Sequence, residues 1–103
     1  MAPLHVGLIL PNYGERLDAE RLASVAVAAE DAGFDSGWVT DHVIVPPEQA
    51  AIYGTIAEAL VSLGFLAGRT TRLQLGVSAL VVPQRNALVV LRQLASLDLL
   101  SGG

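Results

Sequence analysis

Apolar positions along the chain gather into three short continuous runs, each followed by a stretch with helical spacing. Residues 4–10, Leu-His-Val-Gly-Leu-Ile-Leu, form the first run, and the turn-forming Pro11-Asn12-Tyr13-Gly14 stops it. A helix is predicted from Ala19 to Ala32, with Asp18 as N-cap, Glu20 at the positive end of the dipole and Gly33 as the stop. Leu22, Val25, Ala26 and Ala29 fall on one face of it, while Arg21, Ser24, Ala28 and Asp31 take the other. The second strand spans Phe34 to Thr40, and Asp41 to Ile52 is a loop carrying Pro46-Pro47. That loop is longer than the usual βα connection, a feature common where loops carry function. The second helix opens on Thr55-Ile56-Ala57-Glu58, read as a capping box, and runs to Gly68 with Ile56, Ala59, Leu60, Leu63 and Ala67 inward. Arg72 to Ala79 is the third strand. Asn86 then caps a third helix, from Ala87 to about Leu100.

Strands with continuous rather than alternating hydrophobicity, separated by helices, predict an α/β fold with a parallel sheet covered on both faces. The three βα units recur at comparable spacing without evident sequence likeness, so the repeat is architectural. A closed (β/α)8 barrel needs eight strands and about 250 residues. Three units in 103 residues are therefore read as part of a TIM-type barrel, ending before strand four.

The chain is 52% hydrophobic, with a mean hydropathy of +0.53, so its apolar faces call for burial or for neighbours. A formal charge of −4, with six scattered arginines as the only Lys or Arg, argues against a nucleic-acid partner. No run approaches the roughly 18 apolar residues of a membrane span. The opening Met1-Ala2-Pro3-Leu4-His5 lacks the basic and apolar regions of a signal peptide. The absence of cysteine excludes disulfides and thiolate metal sites and fits a cytoplasmic location. Two distant histidines give no metal-ligand spacing. There is no GxGxxG, no Walker loop and no Gly-x-Ser-x-Gly, which disfavours a Rossmann domain or a serine hydrolase.

Chemistry concentrates where strands end. Asp41-His42 follows the second strand and sets a carboxylate beside an imidazole, a pair suited to moving protons near neutral pH. Read from the residues alone, it is either that or a structural turn. Ser78-Ala79 ends the third strand with small residues that let backbone approach a flat ligand. Pro11-Asn12-Tyr13 ends the first at the same mouth, and a turn accounts for it as well as a ligand contact does. Glu58 reads as a capping residue, His5 as structural, Trp38 as core or sheet–helix packing, and Arg85 as a solvent-exposed turn residue in preference to a group reaching an anionic ligand tail.

Several segments, taken in order, carry a resemblance. They are Gly7-Leu8-Ile9-Leu10-Pro11-Asn12-Tyr13-Gly14, the stretch from Ala29 to His42, Leu66 to Ser78, and Leu97-Asp98-Leu99-Leu100-Ser101-Gly102-Gly103. Together they resemble the N-terminal part of the luciferase-like flavin- or deazaflavin-dependent oxidoreductases. Val82-Pro83-Gln84-Arg85-Asn86 is more similar to the branch using the deazaflavin coenzyme F-420 than to the branch using FMN. The resemblance implies a (β/α)8 barrel with the coenzyme at its C-terminal mouth. It implies His42 as the group exchanging a proton while hydride moves to or from the ring, with Asp41 contacting the coenzyme and orienting the site. It further implies a non-prolyl cis peptide at Ser78-Ala79 behind the ring, so that Val77, Ser78, Ala79, Asp41 and Asn12 are the expected coenzyme contacts. The implied reaction is hydride exchange with a small organic substrate. The alternatives are an FMN-dependent monooxygenase and a non-catalytic fragment. Exposed edges and apolar faces lead to the expectation of a homo-oligomer or of association with the remaining barrel segments.

Overall fold

The structure is a computed structural model and describes all 103 residues. Three parallel strands, β1 (Gly7–Ile9), β2 (Ser36–Val39) and β3 (Gln74–Val77), lie side by side in sequence order. Helix α1 (Ala19–Asp31) links the first two. The β2–β3 crossover holds a 3-10 turn (Pro47–Gln49), the one-turn helix α2 (Ala50–Tyr53) and α3 (Ala59–Ala67). After β3, a 3-10 turn (Val82–Gln84) leads into α4 (Ala87–Ser101). The fold class is the expected one: an α/β arrangement whose open, sequentially ordered sheet is an arc of a (β/α) barrel.

The helix ends follow from their capping residues. Asp18 accepts a bond from Arg21 N at 2.7 Å to start α1. Gly33, at φ 86°, ends the α1 turn, and Phe34 N–H returns to Ala29 O at 3.0 Å. Asn86 receives Leu88 N and Val89 N at the head of α4, and Gly102 at φ 83° closes it. The expected capping box is corrected: α3 begins one turn later, and Glu58 is itself the N-cap, accepting from Val61 N at 2.7 Å. Residues 55–57 are instead held extended by β-type contacts. Ile56 bridges Tyr13, Gly14 N donates to Thr55 O, and Ala57 N donates to Asn12 O.

The strands are shorter than the apolar runs, and at the start of β3 a side chain accounts for it. At the start of β3, Glu30 accepts Thr71 N, Arg72 N and Leu73 N, so these amides are withdrawn from the ladder. At the far end of β3 the pairing stops at Val77; the Ser78–Ala79 peptide that follows is cis.

Coverage of the sheet also differs from expectation. Alternate strand residues, with Leu10, Gly37, Val39 and Leu73, face the helices. The core there comprises Leu10, Leu22, Ala26, Val39, Ala59, Leu60, Leu63, Leu66 and Leu73. The opposite face has no helical layer. It carries Gly7, Ile9, Ser36, Trp38, Gln74 and Gly76, and Ile9 is 55% and Trp38 38% exposed. Trp38 is thus not core: its indole lies between Gly7 and Gly76, and Nε1 donates to Ser36 Oγ at 2.9 Å. A Cβ at Gly76 would stand 2.6 Å from the indole, so glycine there is a requirement of close approach. Of α4, only Val90 is buried. No helix is long and apolar enough to cross a membrane.

Candidate functional site at the strand C-termini

Parallel strands end together, so the turns after β1, β2 and β3 share one rim. Ser78 N donates to Val39 O at 2.9 Å, which fixes the end of β3 beside the end of β2. The Asp41-His42 and Ser78-Ala79 segments therefore stand at the same end of the sheet, and the cis bond lies at the pair where the resemblance placed it. Ser78 and Ala79 are exposed, and Val77 and His42 are half-buried.

Asp41 and His42, adjacent in sequence, diverge in space. The Asp41 side chain is almost wholly buried. Its Oδ2 accepts Val81 N at 2.9 Å and Arg85 Nε at 3.3 Å, and its Oδ1 accepts Arg85 Nη2 at 2.5 Å. Both oxygens are engaged, and three of the carboxylate's roughly four acceptor directions are filled. It makes no hydrogen bond to His42. The expectation of a proton-handling pair is corrected to one half-buried imidazole beside an occupied carboxylate. Instead, His42 rests on Tyr53, with ring centroids 4.5 Å apart, and Tyr53 in turn meets Tyr13 at 4.9 Å.

Arg85 is likewise corrected, from a solvated turn residue to a nearly buried one, its side chain 9% exposed. Its hydrogen bond to Asp41 raises the guanidinium's pKa above the ordinary arginine value, with burial opposing. Arg85 Nη2 also lies 2.6 Å from Glu58 Oε1, out of line for a hydrogen bond, and that buried oxygen has no other partner.

Asn12 departs furthest from the coenzyme-contacting role. It is fully buried. Its Nδ2 donates to Thr40 O at 2.8 Å and Ala57 O at 3.1 Å, and its Oδ1 accepts Thr40 N at 2.9 Å. Every polar atom of the amide faces backbone, so Asn12 latches the β1, β2 and α3 approaches together and presents nothing to a ligand.

Sequence reasoning missed Tyr53, Arg85 and Glu30. Tyr53 belongs to a loop whose short helix has no apolar period, and Arg85 closes on a partner 44 positions away. Glu30, on the opposite rim, lies on a helix and had no visible partner. Its carboxylate collects the Arg72, Leu73 and Thr71 amides and the Thr71 hydroxyl, which lower its pKa to about 2. His5 is exposed on that same rim, 3.4 Å from Asp35.

The residues present suit a flat ring. A half-buried imidazole stands at the same rim as small, exposed residues whose backbone is held by β2 and Asp41. Arg85, already engaged, is not free to meet an anionic tail.

A family profile described as luciferase-like monooxygenase matches residues 4–103. The chain is 37% identical over 90 residues to an F420-dependent glucose-6-phosphate dehydrogenase of Kineococcus radiotolerans, covering 86% of this chain and 26% of that protein. A protein of the same name from Amycolatopsis mediterranei is 36% identical over the same shares. The alkanal monooxygenase alpha chain of Photorhabdus laumondii is 26% identical over 93 residues, covering 90% of this chain and 24% of that one. The chain spans about a quarter of the length of these relatives. Its matched length and its sheet of sequential parallel strands place this chain in the luciferase-like monooxygenase family.

Proposed function

We propose that this chain forms the coenzyme-facing N-terminal arc of a deazaflavin-dependent oxidoreductase that exchanges hydride with a small organic substrate. The observation that carries the reading is the shared rim: a partly accessible imidazole and the small, exposed Ser78 and Ala79 at the ends of neighbouring strands. The two relatives above 35% identity, both named as F420-dependent dehydrogenases, favour the deazaflavin over FMN.

When bound, the coenzyme supplies a ring carbon that accepts or gives up hydride. The chain's own residues do the rest. Ser78 and Ala79 give the ring a surface without bulky side chains. Val77 and the Val39 carbonyl fix the height of that surface. His42 holds or takes the substrate hydroxyl proton at an imidazole nitrogen, as hydride loss from an alcohol carbon requires. The rest of the barrel, contributed by further segments or a second copy, completes the substrate pocket.

The test is a titration of the intact protein with coenzyme F-420 and with FMN, followed by absorbance and fluorescence. Saturable F-420 binding is expected. His42→Gln should retain it while turnover falls by about 10²–10⁴-fold, the usual size of a general acid–base contribution. FMN binding alone, with rapid reoxidation by dioxygen, would instead favour the flavin monooxygenase reading, which the alkanal monooxygenase relative keeps in view.

A further inference from the structure

Asp41 is the natural candidate for a coenzyme contact, yet both its oxygens are already taken. Oδ2 holds the Val81 amide and Arg85 Nε, and Oδ1 holds Arg85 Nη2. These partners bracket the 3-10 turn of Val82–Gln84, which follows the Ser78–Ala79 peptide by only a few residues. The turn closes on itself through Gln84 N to Val81 O and Arg85 N to Val82 O, so it behaves as one unit. Ser78 N bonded to Val39 O fixes the near end of the segment, and Asp41 fixes the far end. On its other side Arg85 reaches Glu58, the residue that caps α3.

We infer that Asp41 and Arg85 are a pair of positioning residues, a clamp that sets the height and tilt of the Ser78–Ala79 surface instead of touching the coenzyme. The assignment rests on the deazaflavin reading above for what that surface supports. The clamp itself rests on geometry alone. A paired charge this deeply buried is strongly coupled to its partner, because removing one member leaves the other without compensation. Glu58 shares the guanidinium, so the clamp also ties the rim to the start of α3.

The experiment compares the intact wild-type protein with Asp41→Asn, Arg85→Lys, Arg85→Met and the Asp41→Asn/Arg85→Met double variant. It has two readouts: amide hydrogen exchange without ligand, and titration with coenzyme F-420 and with FMN. In the clamp, either single change accelerates exchange across Ala79–Arg85, and Arg85→Lys falls between wild type and Arg85→Met. Coenzyme affinity falls by about tenfold or more, because the surface that meets the ring is no longer held at one height. The double variant is no worse than the worse single one, because the two residues act as one unit.

Unchanged exchange in the single variants overturns the clamp, whatever binds. Faster exchange with unchanged affinity overturns the positioning role and leaves a purely structural ion pair. If wild type binds neither ring while exchange behaves as expected, the deazaflavin reading falls and positioning of a ring falls with it. Should Arg85→Met fail to fold, Arg85→Lys and Asp41→Asn carry the same comparison.

Discussion

The imidazole of His42 lies against the ring of Tyr53, centroids 4.5 Å apart and planes inclined at 37°. Since Asp41 points elsewhere, Tyr53 is the aromatic group that borders the imidazole. Ring pairs of this kind contribute about 0.5–1.5 kcal/mol beyond the area they bury. Tyr53→Ala should move the His42 ring-proton resonances downfield and broaden the range of imidazole orientations, whereas Tyr53→Phe keeps both near wild type. Proton NMR of the two variants checks this.

Asn12 is a second leverage point. Asn12→Ala leaves the Thr40 amide and the Thr40 and Ala57 carbonyls without their Asn12 partner beside a fully buried side-chain position. Each such group costs about 1–3 kcal/mol when left unpaired. Asn12→Asp should be worse, because an acceptor would face two carbonyls. Denaturant unfolding should rank wild type above Asn12→Ala, and Asn12→Ala above Asn12→Asp.

Glu30 makes stability depend on pH from the other end of the barrel. Its folded pKa, about 2, lies below the ordinary value of 4.5, so the native state favours the charged form. The unfolded chain takes up the proton first as pH falls. The contribution is therefore whole above about pH 4.5 and is lost between there and about pH 2. Glu30→Gln should lower the Tm at pH 6 and flatten its fall over this acid window. Thermal scans of both proteins across that range test the sign.

Gly76 and Gly64 form a matched pair of opposite expectation. Ala at Gly76 would place its Cβ 2.6 Å from the Trp38 indole, forcing the ring off the open sheet face. Gly76→Ala should therefore shift the emission of this single tryptophan to the red and lower stability. Gly64 is exposed on α3, and a methyl added there would meet nothing within 4 Å. Gly64→Ala should stabilise by about 0.5–1 kcal/mol with the emission unchanged.

Much of this architecture was legible in the residues. Apolar runs and helical spacing located all three strands and the three long helices, because burial and capping act locally. Asp18, Gly33 and Asn86 marked helix ends for the same reason. What stayed hidden depended on distant partners. Thr55-Ile56-Ala57-Glu58 reads as a capping box until Tyr13 and Asn12 hold its backbone extended. Trp38 reads as core until the sheet is seen to carry helices on one face only. Asp41-His42 reads as a couple until Arg85, far along the chain, takes the carboxylate. The cis bond at Ser78–Ala79 was reachable only by resemblance, since nothing in two small residues announces it.

The most direct test of the proposed site is a residue-resolved map of amide protection in the intact protein with and without coenzyme F-420. Protection is expected to rise at Asp41–Val43 and Val77–Val81, the adjoining ends of β2 and β3. Protection confined to the opposite rim, around His5, Asp35 and Arg72, or absent from both rims at saturating coenzyme, would contradict it.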